Sequence, residues 1–170
     1  MISCIICSRQ PDIPVELKEN IESTIGCEYE VIVIDNSKNE YSIFSAYNEG
    51  VRRAKGDVLC FMHEDILFHT KGWGEKVSNL LNDSSIGLIG VCGAHMLPSA
   101  PMYWSATPFV SEYFQNNDNG KIENCVQEQY MKDGIADVVS VDGLCMFLRS
   151  EMFSIIRFDE DLYYLMKYFD

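Results

Sequence analysis

The chain has 170 residues, of which 47% are apolar and 12% aromatic, an average composition for a globular domain that excludes disordered, collagen-like and coiled-coil proteins. Its 13 Lys and Arg face 26 Asp and Glu, and the resulting formal charge of -13 repels phosphate backbones, which argues against nucleic acid as a partner. The length predicts a single domain over residues 1–170 whose core forms by packing alone.

Strands and amphipathic helices alternate in the first half of the chain. Residues 1–7 (MISCIIC) and 29–34 (YEVIVI) are short, rich in β-branched side chains and bounded by polar residues, as buried parallel strands are. Between them, apolar residues recur at near-helical spacing after Pro14 and stop before Gly26. This arrangement predicts a βαβ unit.

The same alternation continues twice more. A helical stripe over residues 43–54 stops at Gly56 and is followed by a strand over residues 58–62 (VLCFM). A third helix is predicted over residues 73–81 and a fourth strand over residues 86–92 (IGLIGVC). The pattern therefore predicts an α/β fold with a mostly parallel sheet that is covered on both faces.

Beyond Gly93 the pattern becomes irregular. Residues 98–114 combine prolines with aromatic side chains, which suit either stacking on sugars or ordinary packing. Residues 116–120 (NNDNG) predict a turn between two short strands. We expect no regular sheet or helix over the proline-rich part of this stretch.

The last part of the chain is regular again. Residues 136–141 (ADVVSV) and 144–148 (LCMFL) predict strands, and Ser150 is suited to cap a short helix that follows. Residues 157–170 end on Asp170 without a helix-stop signal or a polar tail. We therefore expect a domain that continues beyond this residue.

The cysteines and the apolar runs indicate the cellular compartment in which the protein is expected. The seven cysteines are an odd number and mostly lie inside apolar runs, which suits small buried side chains better than a disulfide framework. Cys4 and Cys7 form a C-x-x-C spacing, but residues three apart in a strand point to opposite faces, which argues against a redox or zinc pair. No apolar run approaches the roughly 20 residues of a membrane span. We expect a cytoplasmic protein, either free or at the inner face of the membrane.

The most informative segment is residues 48–65 (NEGVRRAKGDVLCFMHED), in which a helix leads into a buried strand. That strand delivers His63, Glu64 and Asp65 at its carboxyl end, and in open α/β sheets the ligand crevice lies at the carboxyl ends of the strands. An acidic pair after a strand is also typical of a helix cap or a solvated turn. Both interpretations stay open on these residues alone.

Several pieces together resemble the family 2 glycosyltransferases. In the family's order, the matching pieces are CIICSRQ, EVIVIDNS, an N-x-G-x-x-x-A-x-G-D pattern at residues 48–57, FMHED, VDGLCMFLRSEMF and FDEDLYYLMKYFD. The resemblance implies the GT-A fold, a Rossmann-like three-layer sandwich with a mostly parallel central sheet. It also implies a nucleotide-diphospho-sugar donor and a glycan or lipid-linked acceptor.

The resemblance assigns five residues to the donor nucleotide: Ser8, Arg9, Asp35, Asn48 and Glu64. Ser8 and Arg9 would line the nucleotide pocket after the first strand, and Asp35 would accept hydrogen bonds from the base or ribose. Asp35 also suits an Asx-turn in its DNS sequence, which is compatible with that role. For Asn48, which would face the nucleotide from a helix, the alternative is an exposed helical asparagine.

By the same resemblance, residues 63–65 (HED) occupy the place of the family's D-x-D motif, which holds a divalent cation, manganese or magnesium, against the donor diphosphate. Asp65 is the residue expected to bind the metal, because hard cations prefer carboxylate oxygens. His63 stands where the first Asp is expected, and it suits a contact to ribose or diphosphate, a manganese ligand or a structural role. This departure leaves strict metal dependence open.

Inverting members of the family need a general base for the acceptor hydroxyl. The best match to the family's catalytic acidic motif is Asp170, with Asp159 and Glu160 as less favoured candidates. Asp142 and Gly143 correspond to the acceptor-side loop, where a small residue lets the backbone approach a sugar. A tight turn between strands is their alternative interpretation.

The expected function is that of an inverting glycosyltransferase of polysaccharide or glycan synthesis that uses a divalent cation. A Rossmann dehydrogenase and a P-loop enzyme are excluded because their glycine-rich signatures are missing. The first loop, SRQPD, also lacks the glycines and basic residues of a sugar nucleotidylyltransferase. The remaining alternative is a non-catalytic glycosyltransferase-like domain that binds a nucleotide or glycan or helps to assemble a complex.

Overall fold

The computed structural model describes residues 1–97, 107–116, 120–127 and 131–161. The chain divides into two compact units, one formed by Met1–Leu88 with the segment from Phe147 onward, the other by Ile89–Met146. In chain order the elements are β1 (Ile2–Ser8), α1 (Val15–Thr24), β2 (Tyr29–Asp35), α2 (Ile43–Arg53), β3 (Val58–Met62), α3 (Trp73–Leu81), β4 (Leu88–Gly90), β5 (Cys92–Ala94), β6 (Phe109–Ser111), β7 (Phe114–Asn116), β8 (Ile122–Asn124), β9 (Ser140–Val141), β10 (Cys145–Arg149) and a 3-10 helix (Ser150–Ser154).

A five-stranded sheet has the strand order β2-β1-β3-β10-β4 and is mixed as a whole. β1 pairs in parallel with both β2 and β3, and the register sets Ser8 beside Asp35 and Ile6 beside Met62. The two predicted βαβ units at the start of the chain are confirmed. The α/β class is confirmed too, whereas the three-layer GT-A arrangement stays a prediction.

The core of the first unit forms around β1 and β3. All five residues of β3 are buried, as are six of the seven in β1, because strands covered on both faces need continuous apolar side chains. α1 buries Leu17 and Ile21, and α2 buries Ala46 and Tyr47. The N-terminus of α2 is capped by Ser42, whose side chain accepts a hydrogen bond from the Ser45 backbone at 3.1 Å.

Two glycines of the N-x-G-x-x-x-A-x-G-D pattern are explained by packing. A Cβ on Gly50 would overlap the Cγ2 atom of Ile5, so a glycine lets α2 lie directly on β1. A Cβ on Gly56 would lie 2.7 Å from the backbone nitrogen of Ser3 and 2.8 Å from the Met1 carbonyl oxygen. The turn before β3 can therefore approach the start of β1 only without a side chain.

The second unit contains a three-stranded sheet of order β6-β5-β9 and a separate β7–β8 pair. β5 pairs antiparallel with β6 and β9, and β7 pairs antiparallel with β8. The expected short strands on either side of residues 116–120 are thus confirmed, while residues 117–119 lie outside the described residues. β6 was not expected, because its three residues lie in a stretch without strand periodicity.

Three predicted boundaries are wrong. The expected strand over residues 86–92 is two strands that belong to different sheets, with a bend at Val91 between them. Gly90 allows the close approach that accompanies this change, because a Cβ there would lie 2.8 Å from Cβ of Val141. The expected strand over residues 136–141 is reduced to Ser140–Val141. The helix that follows β10 is a 3-10 helix whose N-cap position is Arg149 instead of Ser150, and the Arg149 side chain makes no capping hydrogen bond.

The seven cysteines are free, and Cys4, Cys60, Cys92 and Cys145 are buried, as expected for small apolar side chains. Burial, helped by the nearby Asp142 and Cys145, raises the pKa of Cys92 to about 12. Among the described residues, no helix has both the length and the apolar character to cross a bilayer.

Replacement of Gly56 by alanine should destabilise the protein by about 1–3 kcal/mol, because the added methyl group meets fixed backbone atoms of β1. The measurement is urea-induced unfolding. Gly87→Ala is the matched control, since a Cβ at Gly87 meets no atom within 4 Å, and it should change stability by less than about 0.5 kcal/mol. Equal stability of the two variants would contradict the close approach.

Candidate functional site

Polar side chains follow β1, β2 and β3 at the carboxyl edge of the sheet. Because these strands are parallel and in register, the residues that come after them share one edge. Ser8 ends β1, Asp35 ends β2, and residues 63–65 follow β3. The motif residues predicted from the sequence are therefore brought together, although they are up to 57 positions apart in the chain.

A carboxylate ties the turn after β1 to the end of β3. The hydroxyl of Ser8, a fully buried residue, donates to the Glu64 carboxylate and accepts from the Gln10 backbone at 3.0 Å. The Arg9 backbone N–H donates to Oε1 of Glu64 at 3.2 Å. Ser8 and Glu64 therefore determine the shape of the turn, and the exposed Arg9 is the residue of this trio whose side chain faces solvent.

Asp35 closes the turn after β2. Its carboxylate accepts from the Ser37 backbone at 2.9 Å, which is the expected Asx-turn. The Ser37 hydroxyl, the Ser37 backbone N–H and the charge of Lys38 lower the pKa of Asp35, so this exposed group is ionised at neutral pH. The Asn36 backbone donates to the Ser8 carbonyl at 2.8 Å, which fixes this turn to the end of β1.

His63 and Asp65 extend into solvent from the end of β3. Their side chains are 49% and 80% exposed, and Nδ1 of His63 lies 3.9 Å from Oδ1 of Asp65. Across the part of the chain that the structure describes, no three His, Cys, Asp or Glu side chains cluster as a metal site would require. The pair is thus no closed cage, and a cation held by it would need most of its ligands from other groups.

The alternative interpretation of Asn48 as an exposed helical asparagine is wrong. Asn48 is 6% exposed and lies on the face of α2 that packs inward. Its Nδ2 donates to the Phe158 carbonyl at 2.9 Å and to Oε1 of Glu160 at 2.8 Å, and its Oδ1 accepts from the Phe158 backbone at 3.2 Å. Sequence analysis missed this link because 110 positions separate the two partners and no periodicity connects them.

The acidic segment after the 3-10 helix reaches the same edge. The Phe158 ring packs on Phe61 with ring centroids 5.0 Å apart, and Phe61 precedes His63 by two residues. Asp159 accepts from the Asp161 backbone at 3.0 Å and so caps the turn that starts there. Asp170, the favoured general base, lies outside the described residues.

The predicted acceptor-side loop belongs to the second unit. The Asp142 carboxylate accepts from the Leu144 backbone at 2.8 Å, and the Asp142 backbone donates to the Cys92 carbonyl at 3.0 Å, so the loop is the tight turn that was the alternative interpretation. A Cβ on Gly143 would meet no atom within 4 Å, which leaves its backbone open to approach. The acceptor role of both residues stays a prediction.

The aromatic residues of the stretch 98–114 divide between described and undescribed parts of the chain. Tyr103 and Trp104 lie outside the described residues, whereas Phe114 is 53% exposed in β7. A cavity of about 460 Å³ lies elsewhere, at the amino edge of the sheet, where Met1, Asp57 and Arg149 line it. Because the motif residues follow the carboxyl ends of the strands, this cavity does not contain them.

Removal of the Glu64 carboxylate should cost more stability than removal of the Ser8 hydroxyl. Glu64→Ala leaves the buried hydroxyl without its acceptor, at a cost of about 1–3 kcal/mol, whereas Ser8→Ala leaves a half-buried carboxylate that water can solvate, at about 0.5–1.5 kcal/mol. The double variant should lose less than the sum of the two single losses. Chemical unfolding of all four proteins measures the cycle, and strict additivity would show that the two side chains do not interact.

In a comparison with known families, the sequence model of a family described as "Glycosyltransferase like family" matches residues 1–170. A comparison with curated protein sequences finds no match to this chain.

Proposed function

Because the chain belongs over its whole length to this glycosyltransferase-like family, we propose that it is an inverting transferase that moves a sugar from a nucleotide-diphospho-sugar to a hydroxyl group. The family supports a transferase that binds a sugar donor and an acceptor. The nucleotide donor, the inverting course and the cation are our proposal. We further propose a glycan or lipid-linked acceptor and a place in polysaccharide synthesis at the cytoplasmic face of the membrane.

The observation that carries the proposal is the exposed set of polar groups along the carboxyl edge of β1, β2 and β3. The hydrogen bonds from Ser8 and from the Arg9 backbone to Glu64 hold the Arg9 turn beside the end of β3. From that turn the Arg9 guanidinium would meet a phosphate or the base, and the ionised Asp35 would accept hydrogen bonds from the ribose. A donor bound there would have its diphosphate near His63 and Asp65.

Asp65, with or without His63, would bind a divalent cation, manganese or magnesium. The bound cation would neutralise the donor diphosphate and stabilise the nucleoside diphosphate as it leaves. The chain's own contribution is to present an 80% exposed carboxylate at this edge while Glu64 remains hydrogen-bonded to the neighbouring turn. Asn48 is left out of the donor pocket, because Phe158 and Glu160 occupy both of its donor hydrogens.

The reaction is a single displacement at the anomeric carbon. The acceptor oxygen forms a bond to that carbon while the bond from the carbon to the phosphate oxygen breaks, and its electron pair leaves with the nucleoside diphosphate. The proton of the acceptor hydroxyl passes to a carboxylate, for which Asp170 is our first candidate and the Asp159–Glu160 pair the second. Asp142 and Gly143 would contact the acceptor.

The second candidate function is a non-catalytic domain that binds a nucleotide or a glycan. It is favoured by His63 at the position where the family's metal-binding motif begins with Asp. A histidine is a weaker ligand than a carboxylate for magnesium, so binding without turnover fits this departure.

Nucleotide binding should raise the melting temperature, and Asp65→Ala should abolish the part of the rise that depends on metal. The probes are UDP, GDP, UDP-glucose and GDP-mannose, each with and without manganese. A ligand that binds only the folded protein adds about 2.7 kcal/mol at 100 times its dissociation constant, which shifts the melting temperature by several degrees.

Asp57→Ala is the matched control for Asp65→Ala. Asp57 is a 91% exposed carboxylate that precedes the same strand at the opposite edge, where its side chain contacts the N-terminal amine. This variant should keep the full nucleotide shift. Release of UDP or GDP from the sugar nucleotide separates the two candidate functions, because a binding domain would show the shift without release. No shift with any probe would contradict the transferase and a nucleotide-binding domain, and would favour the glycan-binding form of the second candidate.

A further inference from the structure

The side-chain amide of Asn48 binds the peptide group of Phe158, which lies 110 positions further along the chain. The amide forms a pair of hydrogen bonds with one residue, donating to the Phe158 carbonyl at 2.9 Å and accepting from the Phe158 N–H at 3.2 Å. The second amide hydrogen goes to Oε1 of Glu160 at 2.8 Å. An asparagine amide has two hydrogens to donate, so both are used.

The ring of Phe158 is also held by aromatic contacts. The Phe158 ring packs against Phe44 and Tyr47 of α2 and against Phe61 of β3, with centroid distances of 5.6, 5.4 and 5.0 Å. These ring contacts hold the side chain but make no hydrogen bond to the peptide group of Phe158. The three hydrogen bonds from Asn48 add direction, because they orient the peptide and the Glu160 carboxylate together.

This arrangement sets the acidic groups at the edge of the sheet. Asn48 holds Oε1 of Glu160, while the side chain as a whole is exposed. The two described carboxylates that we consider as the general base, Asp159 and Glu160, therefore follow within two residues a peptide group that Asn48 orients.

We infer that Asn48 is a positioning residue for the acidic segment of residues 158–161, and that it does not bind the donor nucleotide. The inference rests on the proposed transferase function. The step that it serves is proton transfer: as the acceptor oxygen bonds to the anomeric carbon and the nucleoside diphosphate departs, the hydroxyl proton moves to a carboxylate of this segment. Loss of orientation should slow that step and leave donor affinity intact.

The chain provides a matched control in Asn20 of α1. Its amide makes the same pair of hydrogen bonds with another phenylalanine, donating to the Phe68 carbonyl at 3.0 Å and accepting from the Phe68 N–H at 2.7 Å. Asn20→Ala thus removes an equivalent pair of peptide hydrogen bonds and should cost similar stability, but it leaves the Phe158 segment untouched.

The experiment compares wild type, Asn48→Ala, Asn48→Asp and Asn20→Ala on the full chain. Turnover is measured as release of UDP or GDP from UDP-glucose and GDP-mannose with manganese, with water as the acceptor, and donor affinity by the thermal shift with UDP or GDP. We expect Asn48→Ala to lower kcat about 10- to 100-fold with the nucleotide Kd unchanged. Asn48→Asp should be worse, because its carboxylate faces the Phe158 carbonyl and Glu160. Asn20→Ala should lower Tm without this loss of kcat.

Three results would count against the inference. If Asn48→Ala keeps kcat within twofold, or if its loss equals that of Asn20→Ala, the positioning role is wrong and the transferase function stands. If nucleotide affinity falls in parallel with kcat, Asn48 is a donor-binding residue after all. If the wild type releases no UDP or GDP, the proposed transferase function is wrong and the positioning role falls with it, whether or not a nucleotide binds.

Discussion

The parallel pairing of β1 with both β2 and β3 is the constraint on which the candidate site depends. Parallel strands in register end at one edge, so Ser8, Asp35 and the residues after Met62 are brought side by side by backbone hydrogen bonds. Side chains then refine this edge. The Glu64 carboxylate joins the ends of two neighbouring strands through Ser8 and the Arg9 N–H, which leaves Asp65 and His63 as the groups that face solvent.

Two asparagines make the same pair of hydrogen bonds with different segments of the chain. Asn20 and Asn48 lie on consecutive helices, and each binds the N–H and the carbonyl of a phenylalanine whose ring packs on other aromatic side chains. An amide can replace a strand neighbour in this way, because it presents one donor and one acceptor at the spacing of a peptide group. Irregular segments that lack ladder hydrogen bonds are thereby held against the helices, and in the case of Asn48 the segment carries acidic groups.

The spacing of the N-x-G-x-x-x-A-x-G-D pattern combines two physical demands. Gly50 is needed for close packing against Ile5, and Gly56 for close packing against the backbone at Ser3 and Met1. Both glycines therefore serve the fold. Asn48 on the same helix satisfies hydrogen bonds of the acidic segment, which bears on the proposed function. A single short pattern can thus place structural and functional constraints on neighbouring positions of one helix.

The sequence by itself determined the elements of the first 81 residues, because buried strands and amphipathic helices leave local periodic patterns that packing then reinforced. It also identified the edge where the polar motif residues meet, since parallel strands end together. Only the tertiary structure decided that Glu64 ties β1 to β3, that Asn48 turns inward to Phe158, and that the run over residues 86–92 divides between two sheets. These features depend on partners far away in the chain, 56 positions for Ser8 with Glu64 and 110 for Asn48 with Phe158. A local pattern of apolar and polar residues carries no record of a hydrogen bond formed across such a separation.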